Sequence, residues 1–252
     1  MLTQERKSYL LERLKQEGKV EAKAVAAELG LSDDTIRRDL RELAAEGKLQ
    51  RVHGGALPRA PAEASLAKRK NLASESKQQV GKAAAGLIQP DQVVIIDGGT
   101  TALQLIKHFP LNQNNTVVTH SPAIALALEH HQSVQVIMIG GVLYRHSMVN
   151  VGAASIDAMS HIQADTFFMG VTGVDMKTGL TTGDLEEAHI KKALSHRAAD
   201  TIILASEEKL EVASSYVVMP LNNASGIAVD SNTSKALISR IRKKGLEIHM
   251  PA

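Results

Sequence analysis

The chain has 252 residues and a formal net charge of +2, and 44% of its residues are hydrophobic while only 2% are aromatic. A core must therefore be built from Ala, Val, Ile and Leu, and the length allows one large domain or a small domain followed by a larger one. The sequence contains no cysteine, which excludes disulfides, thiol chemistry and metal sites that need thiolates. No apolar run approaches the roughly 20 residues of a membrane span, and the first residues lack the apolar core of a signal peptide, so we expect a soluble cytoplasmic protein with no membrane partner.

The first 31 residues predict two helices and a tight turn. Apolar residues recur at helical spacing over residues 4–16 and again over residues 21–29. Gly18 follows the first helix and Gly30 the second, where a left-handed residue commonly ends a helix. Leu31 is interpreted as the apolar plug of the turn.

The stretch SDDTIRRDLREL, residues 32–43, predicts a third helix with one basic face. Ser32 is a good N-cap, and the two acids that follow suit the positive end of the helix dipole. The apolar residues fall on one narrow stripe, formed by Ile36, Leu40 and Leu43. Three arginines lie on the other side: Arg37, Arg38 and Arg41. The alternative is a solvated helix face with i,i+4 pairs such as Arg38 with Glu42.

A helix, a short turn containing glycine and a second helix form the helix-turn-helix pattern, whose second helix enters the DNA major groove. The following residues, LQRVHGGA at 49–56, predict a short strand and a glycine turn, which would make a basic wing. The alternative leaves Arg51 and His53 of this wing in solvent. The candidate DNA-contacting residues are Ser32, Thr35, Arg37, Arg38, Arg41, Arg51 and His53.

Residues 1–57, and above all TIRRDLREL with GKLQRVHGGA, resemble the N-terminal winged helix-turn-helix domain of DeoR-family bacterial transcriptional regulators. The resemblance implies that double-stranded operator DNA is a partner. One module of this size contacts too few base pairs for genomic specificity, so we expect a homo-oligomer, either a dimer or a tetramer.

Residues 58–74 predict a linker, because two prolines stand among alanine, serine and basic residues, with helix possible beyond Glu63. From residue 75 to residue 252, short β-branched strands alternate with helices, beginning with a helix over residues 76–88. This alternation predicts an α/β fold with an open parallel sheet that is covered on both faces. The predicted strands span residues 92–99, 116–120, 134–141, 164–170, 200–206, 216–220, 226–229 and 246–250.

One strand end suits a phosphate group. The loop Asp97-Gly98-Gly99-Thr100-Thr101 leads directly into a helix. Its glycines let backbone amides approach an anion, its hydroxyls add donors, and the helix N-terminus favours negative charge. The alternative is a tight turn with no ligand.

Two further places carry candidate site residues near predicted strand ends. Glu187 and Lys191 lie one turn apart near a helix start, where the alternative is an ordinary i,i+4 salt bridge. Lys209 follows a predicted strand, where the alternative is a solvated loop lysine.

The loop at 97–101, the Glu187/Lys191 pair and Lys209 are similar to the effector domain of the same DeoR family. That domain resembles ribose-5-phosphate isomerase and senses phosphorylated carbohydrate intermediates. This chain has His120 where the family commonly has asparagine, and residues 206–209 read Ser-Glu-Glu-Lys where the family commonly has Asp-Ser-Ser-Lys. The implied effector-binding residues are Asp97, Gly98, Gly99, Thr100, Thr101, His120, Glu187, Lys191 and Lys209.

We therefore expect a DNA-binding regulator, a repressor of a carbohydrate-catabolism operon that responds to a phosphorylated sugar. The alternative is a sugar-phosphate isomerase with an appended DNA-binding domain, in which Glu187 would be the base and Lys191 or Lys209 the phosphate clamp. No catalytic residue, cofactor or metal site is expected on the favoured interpretation. The adjacent pair His130-His131 has no carboxylate at metal-ligand spacing, and no GxSxG nucleophile motif occurs.

Overall fold

The N-terminal module consists of three helices and a small antiparallel sheet. The computed structural model describes residues 2–251. In chain order the module contains α1 (Thr3–Glu17), β1 (Val20–Glu21), α2 (Ala22–Leu29), α3 (Asp33–Ala45), β2 (Gln50–Val52) and β3 (Gly55–Leu57). Strand β3 lies between β1 and β2 and pairs antiparallel with both. The predicted three helices and wing are confirmed, while the short strand β1 was not predicted.

The apolar stripes of the three helices meet in one buried core, and two glycines end the first two helices. The core includes Leu10, Leu14, Val25, Ile36, Leu40 and Leu43. Gly18 and Gly30 have φ values of 70° and 63°, in the left-handed region, as predicted. The interpretation of Leu31 as a plug is wrong, because its side chain is 37% exposed. The turn is closed by the backbone instead, since the Leu31 amide donates to the Ala26 carbonyl at 2.9 Å.

The segment at residues 58–74, predicted as a linker, is folded against the larger domain. It contains a 3-10 turn at Pro61–Glu63 and the short helix α4 at Leu66–Arg69. The Leu66 amide donates to the His146 carbonyl at 2.9 Å. The backbone of Arg59 forms an isolated parallel β-bridge with Ala213. The path between the two domains therefore crosses the surface of the second one.

The larger domain alternates helices and strands. Its strands are β4 (Val93–Ile96), β5 (Thr116–Thr119), β6 (Gln135–Met138), β7 (Val142–Tyr144), β8 (Val149–Val151), β9 (Ala164–Gly170), β10 (Gly173–Asp175), β11 (Gly179–Thr182), β12 (Ala198–Leu204), β13 (Tyr216–Met219), β14 (Gly226–Ala228) and β15 (Glu247–His249). Its helices are α5 (Ser74–Ala85), α6 (Thr100–Lys107), α7 (Pro122–Ala127), α8 (Ala153–Ala158), α9 (Leu185–Ser195) and α10 (Lys235–Arg242).

Seven strands form one parallel sheet in the order β15-β14-β12-β9-β4-β5-β6. Each neighbouring pair in this sheet is parallel. The chain moves outward in one direction through β4, β5 and β6, and in the other through β9, β12, β14 and β15. The strand order therefore reverses between β4 and β9, and the crevice at the carboxyl ends there is where open α/β sheets bind ligands.

The run at 216–220, predicted within the parallel series, lies in a different sheet. It forms β13, which pairs antiparallel with β11, and β11 pairs antiparallel with β10. The prediction was wrong because a short apolar run shows burial but not the direction of its partner. The β7–β8 hairpin and helix α8, both after β6, were also not predicted.

Two apolar cores cover the two faces of the parallel sheet. The short β-branched strands in the sequence predict this arrangement. Val94 and Ile96 of β4 face one core, and Ile95 faces the other. Helix α5 packs closely on α6 at Gly81, where a Cβ atom would lie 2.6 Å from the Gln104 carbonyl carbon. This close packing fixes the helix that begins at the predicted phosphate loop.

Across residues 2–251 no helix has the length and apolar character needed to cross a membrane. The same residues contain no group of three or more His, Asp or Glu side chains that could hold a metal ion.

Candidate functional site

Helix α3 begins with the cap that the sequence predicts. The Ser32 Oγ accepts a hydrogen bond from the Thr35 amide at 3.2 Å, and it lies 2.8 Å from the Thr35 hydroxyl. Ser32 is exposed and Thr35 is half-buried. The first turn of α3 therefore presents two hydroxyls at the surface, beside the positive end of the helix dipole.

The basic face of α3 is exposed, and its three arginines are not equivalent. Arg37 donates its Nε to the Asp33 Oδ2 at 2.8 Å. Arg38 and Arg41 are exposed and have no ion-pair partner among residues 2–251. The expected Arg38–Glu42 pair does not form, since Glu42 lies 2.9 Å from the Lys7 Nζ. Two arginines of α3 are therefore free to meet an external anion.

A buried ion pair that sequence reasoning missed holds α3 against α1. The Arg6 Nη2 donates to the Asp39 Oδ1 at 3.0 Å, and the Arg6 Nε donates to the other carboxylate oxygen. Arg6 is 8% exposed and Asp39 only 1% exposed. A signal was present, because Arg6 stands one turn before Leu10 on the buried stripe of α1. Removing one partner would leave a buried charge, so the pair fixes the angle between these helices.

The wing is a tight hairpin with basic side chains at its tip. Strands β2 and β3 are joined by His53 and Gly54, and Gly54 has a φ of 85°. Arg51 and His53 are both exposed. The wing and α3 thus belong to one small module that presents cationic side chains to solvent.

A small cleft lies at the carboxyl ends of β4 and β9, where the strand order reverses. Seven of the predicted effector-binding residues line it: Gly98, Gly99, Thr100, Thr101, Glu187, Lys191 and Lys209. Gly99 is the N-cap of α6 and has a φ of 117°, which side-chain-bearing residues rarely adopt. The cleft therefore combines a glycine loop, a helix N-terminus and two lysines.

Asp97 and His120 lie behind the cleft rather than on its surface. Asp97 is fully buried and accepts hydrogen bonds from the Gly98 amide at 2.7 Å and the Gly170 amide at 2.9 Å. Its two oxygens also contact the His120 Nε2 at 2.8 Å and the Lys191 Nζ at 2.5 Å. Burial alone would raise the pKa of Asp97, but the charges of Lys191 and His120 outweigh it and lower that pKa well below its usual value. An ionised Asp97 therefore ties β4, β5, β9 and α9 together.

His120 is held from both sides. Its Nδ1 lies 2.8 Å from the Asn150 carbonyl oxygen, while its Nε2 faces Asp97. His120 therefore links the Asn150 backbone to the Asp97 carboxylate.

The three charged side chains that the sequence predicts for the cleft, Glu187, Lys191 and Lys209, are buried. Lys191 pairs with Asp97 and not with Glu187, so the i,i+4 salt bridge considered from the sequence is absent among the described residues. Glu187 is 7% exposed, and one of its oxygens accepts from the Thr182 hydroxyl at 3.5 Å. Lys209 is not a solvated loop lysine, because it is 4% exposed.

Lys209 is oriented by two acceptors. Its Nζ donates to the Thr101 Oγ1 at 2.8 Å and to the Leu204 carbonyl at 3.1 Å. Burial lowers the pKa of Lys209 to about 7. An anion bound beside this amine, in the turn after β12, would favour its charged form.

Arg69, in the segment predicted as a linker, also lines the cleft. Its side chain is buried, its Nη2 lies 3.4 Å from the Ser147 Oγ, and its Nε has no partner among residues 2–251. Burial lowers the pKa of Arg69, and Glu187 and Asp97 partly offset that effect. Sequence reasoning missed it because a basic run near prolines is typical of a solvated connector.

Glu208 belongs to the stretch that departs from the family pattern, and it lies behind Arg69. Its Oε1 is 3.3 Å from the Lys77 Nζ, and both side chains are buried. Lys77 in turn donates to the Arg69 carbonyl at 2.9 Å. The departing residue therefore supports the backbone of a cleft residue.

The cleft has an inner and an outer part. The inner part has a volume of about 20 Å³, which holds about one water molecule. The outer part has a volume of about 140 Å³ and is lined by Arg59 and Glu63 of the connecting segment and by Tyr144 and His146 of the β7–β8 hairpin. Ser147, Thr172 and Glu187 line both parts, so the two are continuous.

Family models match both domains of the chain. Residues 6–59 match the DeoR-like helix-turn-helix domain, and residues 72–231 match the DeoR C terminal sensor domain. The chain is 30% identical to the HTH-type transcriptional repressor GlcR of Bacillus subtilis (strain 168) over 98% of this chain and 96% of that protein. It is 32% identical to the HTH-type transcriptional regulator GlpR of Haloferax volcanii over 83% of each chain.

Among solved structures, ribose 5-phosphate isomerase A from Methanocaldococcus jannaschii aligns over 54% of each chain with 17% identity and a TM-score of 0.41. The relatives that match nearly the whole chain are named as transcriptional regulators, so the alternative of an isomerase is not retained. The two domain matches together cover most of the chain, and all strands of the parallel sheet except β15 lie within the residues matched to the sensor domain. The chain belongs to the DeoR family of transcriptional regulators.

Proposed function

We propose that the protein is a repressor of a carbohydrate-catabolism operon whose operator binding responds to a phosphorylated sugar. The observation that carries the proposal is the cleft at the strand-order reversal, where the loop at 98–101 faces Arg69, Lys191 and Lys209. Amides at a helix N-terminus and cations are the groups that bind a phosphate. A relative of similar length, GlcR, is named a repressor, which supports the sign of regulation.

The proposed operator contacts are made by side chains of α3, its N-cap and the wing that are exposed or half-buried. Arg38 and Arg41 reach base edges or phosphates in the major groove because no described residue neutralises them. Arg37 contributes after it exchanges Asp33 for DNA, and Ser32 and Thr35 meet the backbone at the N-terminus of α3. Arg51 and His53 contact the sugar-phosphate backbone or the minor groove through the wing.

The proposed effector contacts divide by chemistry. The amides and hydroxyls at Gly99, Thr100 and Thr101 bind the phosphate oxygens, with Lys209 and Arg69 supplying charge. Lys191 is fixed in position by Asp97, which His120 holds from its other oxygen. Glu187 accepts hydrogen bonds from hydroxyl groups of the sugar.

Binding of the effector is proposed to move the connecting segment. The inner cleft holds about one water molecule, which is less space than a phosphate group needs. Arg69 and the outer lining residues Arg59 and Glu63 belong to the segment that leads to the wing. A ligand that widens the cleft therefore shifts this segment, and it changes operator affinity by the difference in its affinity for the two arrangements.

The proposed function implies a homo-oligomer, because one module reads too few base pairs, and either a dimer or a tetramer satisfies this need. A protein with this role works in the compartment that holds the genome, which in a bacterium is the cytoplasm.

The test is release of operator DNA by a panel of sugar phosphates. An operator fragment is first selected from random-sequence DNA with the full chain. Glucose 6-phosphate, fructose 1-phosphate, fructose 6-phosphate and ribose 5-phosphate are then titrated against the complex, each beside its free sugar. One phosphorylated sugar should release the DNA while its free sugar does not. Operator binding that none of the phosphates changes would contradict the proposal.

A matched pair of glycine variants tests whether the release of DNA by the sugar phosphate depends on the cleft. Gly99→Ala forces a side chain onto a backbone with a φ of 117°, at the helix end that faces the phosphate. Gly86→Ala is the control, because Gly86 has an ordinary helical φ of −66° and a Cβ there would make only ordinary contacts. Gly99→Ala should bind the operator but require far more sugar phosphate for release, while Gly86→Ala should respond like the wild type.

A further inference from the structure

Strand β6 is an edge of the parallel sheet, and it exposes apolar side chains on both of its faces. Its neighbour β5 buries Val117 and Val118 completely. In β6, by contrast, Ile137 is 39% exposed and Met138 is 46% exposed, and these two side chains point to opposite faces because they are adjacent in a strand. The outermost strand is therefore only partly covered, since Val136 packs against one core while Ile137 and Met138 remain exposed.

The exposed apolar surface continues beyond β6. Val142 is 72% exposed, and Leu143 and Ile156 are each 38% exposed. The start of α8 lies beside the end of β6, since the Ser155 Oγ donates to the Gly140 carbonyl at 2.7 Å. Ile156 is the next residue along α8, and we group these five exposed apolar residues under the name β6 patch: Ile137, Met138, Val142, Leu143 and Ile156.

The two stretches that contain the β6 patch are uncharged, although Arg145, His146 and Asp157 adjoin them. No Asp, Glu, Lys, Arg or His occurs from Gln132 to Tyr144 or from Ser147 to Ile156. Monomeric proteins protect edge strands with lysine, proline or bulges, because an unpaired edge joins other chains. An edge strand that is apolar and uncharged fits a protein in which a specific partner covers it.

We propose that β6 pairs antiparallel with β6 of a second copy of this chain across a two-fold axis, joining the two seven-stranded sheets into one. A two-fold interface brings each surface against itself, so a charged patch would meet like charge, whereas this one does not. The exposed parts of the five patch residues amount to roughly 400 Å², about half of the ~800 Å² that a stable interface buries on each partner. The main-chain groups of β6 and the glycines at 140 and 141 add polar and backbone area to that.

The inference deepens the proposed homo-oligomer and rests on it, since it names the surface through which two copies join. Its test uses the absence of cysteine from the chain. In an antiparallel pair across a two-fold axis, one residue of β6 must face its own counterpart at a Cα distance that a disulfide can span. Single cysteines are placed in the full chain at positions 135, 136, 137 and 138, and each variant is oxidised and examined by denaturing, non-reducing electrophoresis.

At least one of the four β6 variants should form a disulfide-linked dimer in high yield, reversed by a reductant. The control is Leu111→Cys, because Leu111 is 67% exposed and lies in the loop after α6, outside the five patch residues. Cross-linking of the control as efficiently as the β6 variants, or of none of the five while the protein is dimeric, overturns the inference.

A second measurement uses sedimentation equilibrium of the uncross-linked protein without DNA. Ile137→Lys and Met138→Lys each place a charge that meets its own copy across the axis, so the dimer dissociation constant should rise at least tenfold. Leu111→Lys should leave it unchanged. If the wild type is a dimer and the β6 variants remain equally dimeric, the copies join elsewhere, and this inference fails while the proposed regulator stands. A wild type that is monomeric at every concentration removes the proposed homo-oligomer as well.

Discussion

The two ends of the molecule use cations in opposite ways. In the N-terminal module, Arg38, Arg41 and Arg51 are exposed. In the cleft, Arg69, Lys191 and Lys209 are buried, and each has protein atoms within contact distance that fix its position. Exposed arginines suit a long polyanion, where affinity comes from many contacts and from released counterions. Buried and oriented cations suit one small anion, which must fit the geometry of a single cavity.

Burial also changes what each set can sense. An exposed arginine stays charged throughout the physiological range, so its charge does not depend on whether a ligand is bound. Lys209 is buried, and the resulting decrease of its pKa to about 7 makes its charge depend on the ligand beside it. The cleft can therefore respond to an anion, while the helix and wing can only bind one.

The largest expected effect concerns the one buried ion pair described in the module. Asp39→Ala leaves the Arg6 charge buried without its partner, so the module should lose about 3 kcal/mol of stability. Asp34→Ala removes an exposed acid from the same helix and should cost less than about 1 kcal/mol. Chemical denaturation followed by circular dichroism measures both. The double variant Arg6→Met, Asp39→Leu should recover most of the loss, and a double variant as unstable as Asp39→Ala would show that the charge is not the cause.

The next effect tests the exposed set. Arg38→Ala and Arg41→Ala should each weaken operator binding by about 1–3 kcal/mol if the arginine reads a guanine edge. An arginine that contacts only phosphate should instead lower affinity on all sequences and reduce the salt slope by about one. Arg37→Ala should reduce operator affinity by less, because Arg37 must first give up its ion pair with Asp33 before it can contact DNA. Fluorescence anisotropy on operator and on random DNA separates these cases, and full operator affinity in all three variants would contradict the assignment.

The third prediction concerns pH and the buried set. Phosphate binding requires the charged form of Lys209, whose pKa in the free protein is about 7. Below that pH the amine is already protonated, while above it each unit costs about a tenfold loss of effector affinity, or ~1.4 kcal/mol. Operator affinity should change little over pH 7 to 9, because the arginines keep their charge. Isothermal titration calorimetry should show the pH dependence in the wild type and lose it in Lys209→Met, whereas an unchanged slope in that variant would exclude Lys209.

The smallest expected effect concerns one hydroxyl of the phosphate loop. Thr100→Val keeps the shape of the side chain and removes a donor at the N-terminus of α6. It should weaken effector binding by about 0.5–1.5 kcal/mol, and by somewhat more if the hydroxyl meets a charged oxygen. Operator affinity without effector should not change. A loss of operator affinity equal to the loss of effector affinity would point to misfolding rather than to a missing donor.

The parts predicted from the sequence are those set by local patterns. Ser32 as a cap, glycines at helix ends, the stripe Ile36/Leu40/Leu43 and the glycine loop after β4 are readable because each depends on residues a few positions apart. Their structural roles are confirmed, whereas the ligands of the site residues stay a prediction. The assignment of the loop at 97–101, the Glu187/Lys191 pair and Lys209 to an effector site came from the family resemblance and not from local patterns.

The parts that were missed depend on residues distant in sequence. Arg6 meets Asp39 across 33 positions, and Lys191 meets Asp97 across 94, so neither pairing shows in a local window. Arg69 was assigned to a connector, because its burial results from packing against the distant Ser147. The prediction that β13 belongs to the parallel sheet was wrong for the same reason, since only the folded chain brings β11 beside β13.

Salt dependence tests the contrast between the two cation sets most directly. Operator affinity and the affinity for the most active sugar phosphate are measured on the same full-length protein from 50 to 300 mM potassium chloride. Operator binding should fall steeply, with a slope of log K against log salt of about −0.9 for each phosphate contacted. Effector binding should fall far less, since the cleft shields its cations from mobile ions. Equal slopes for the two ligands, or a steeper slope for the sugar phosphate, would contradict the assignment of exposed cations to DNA and buried cations to the effector.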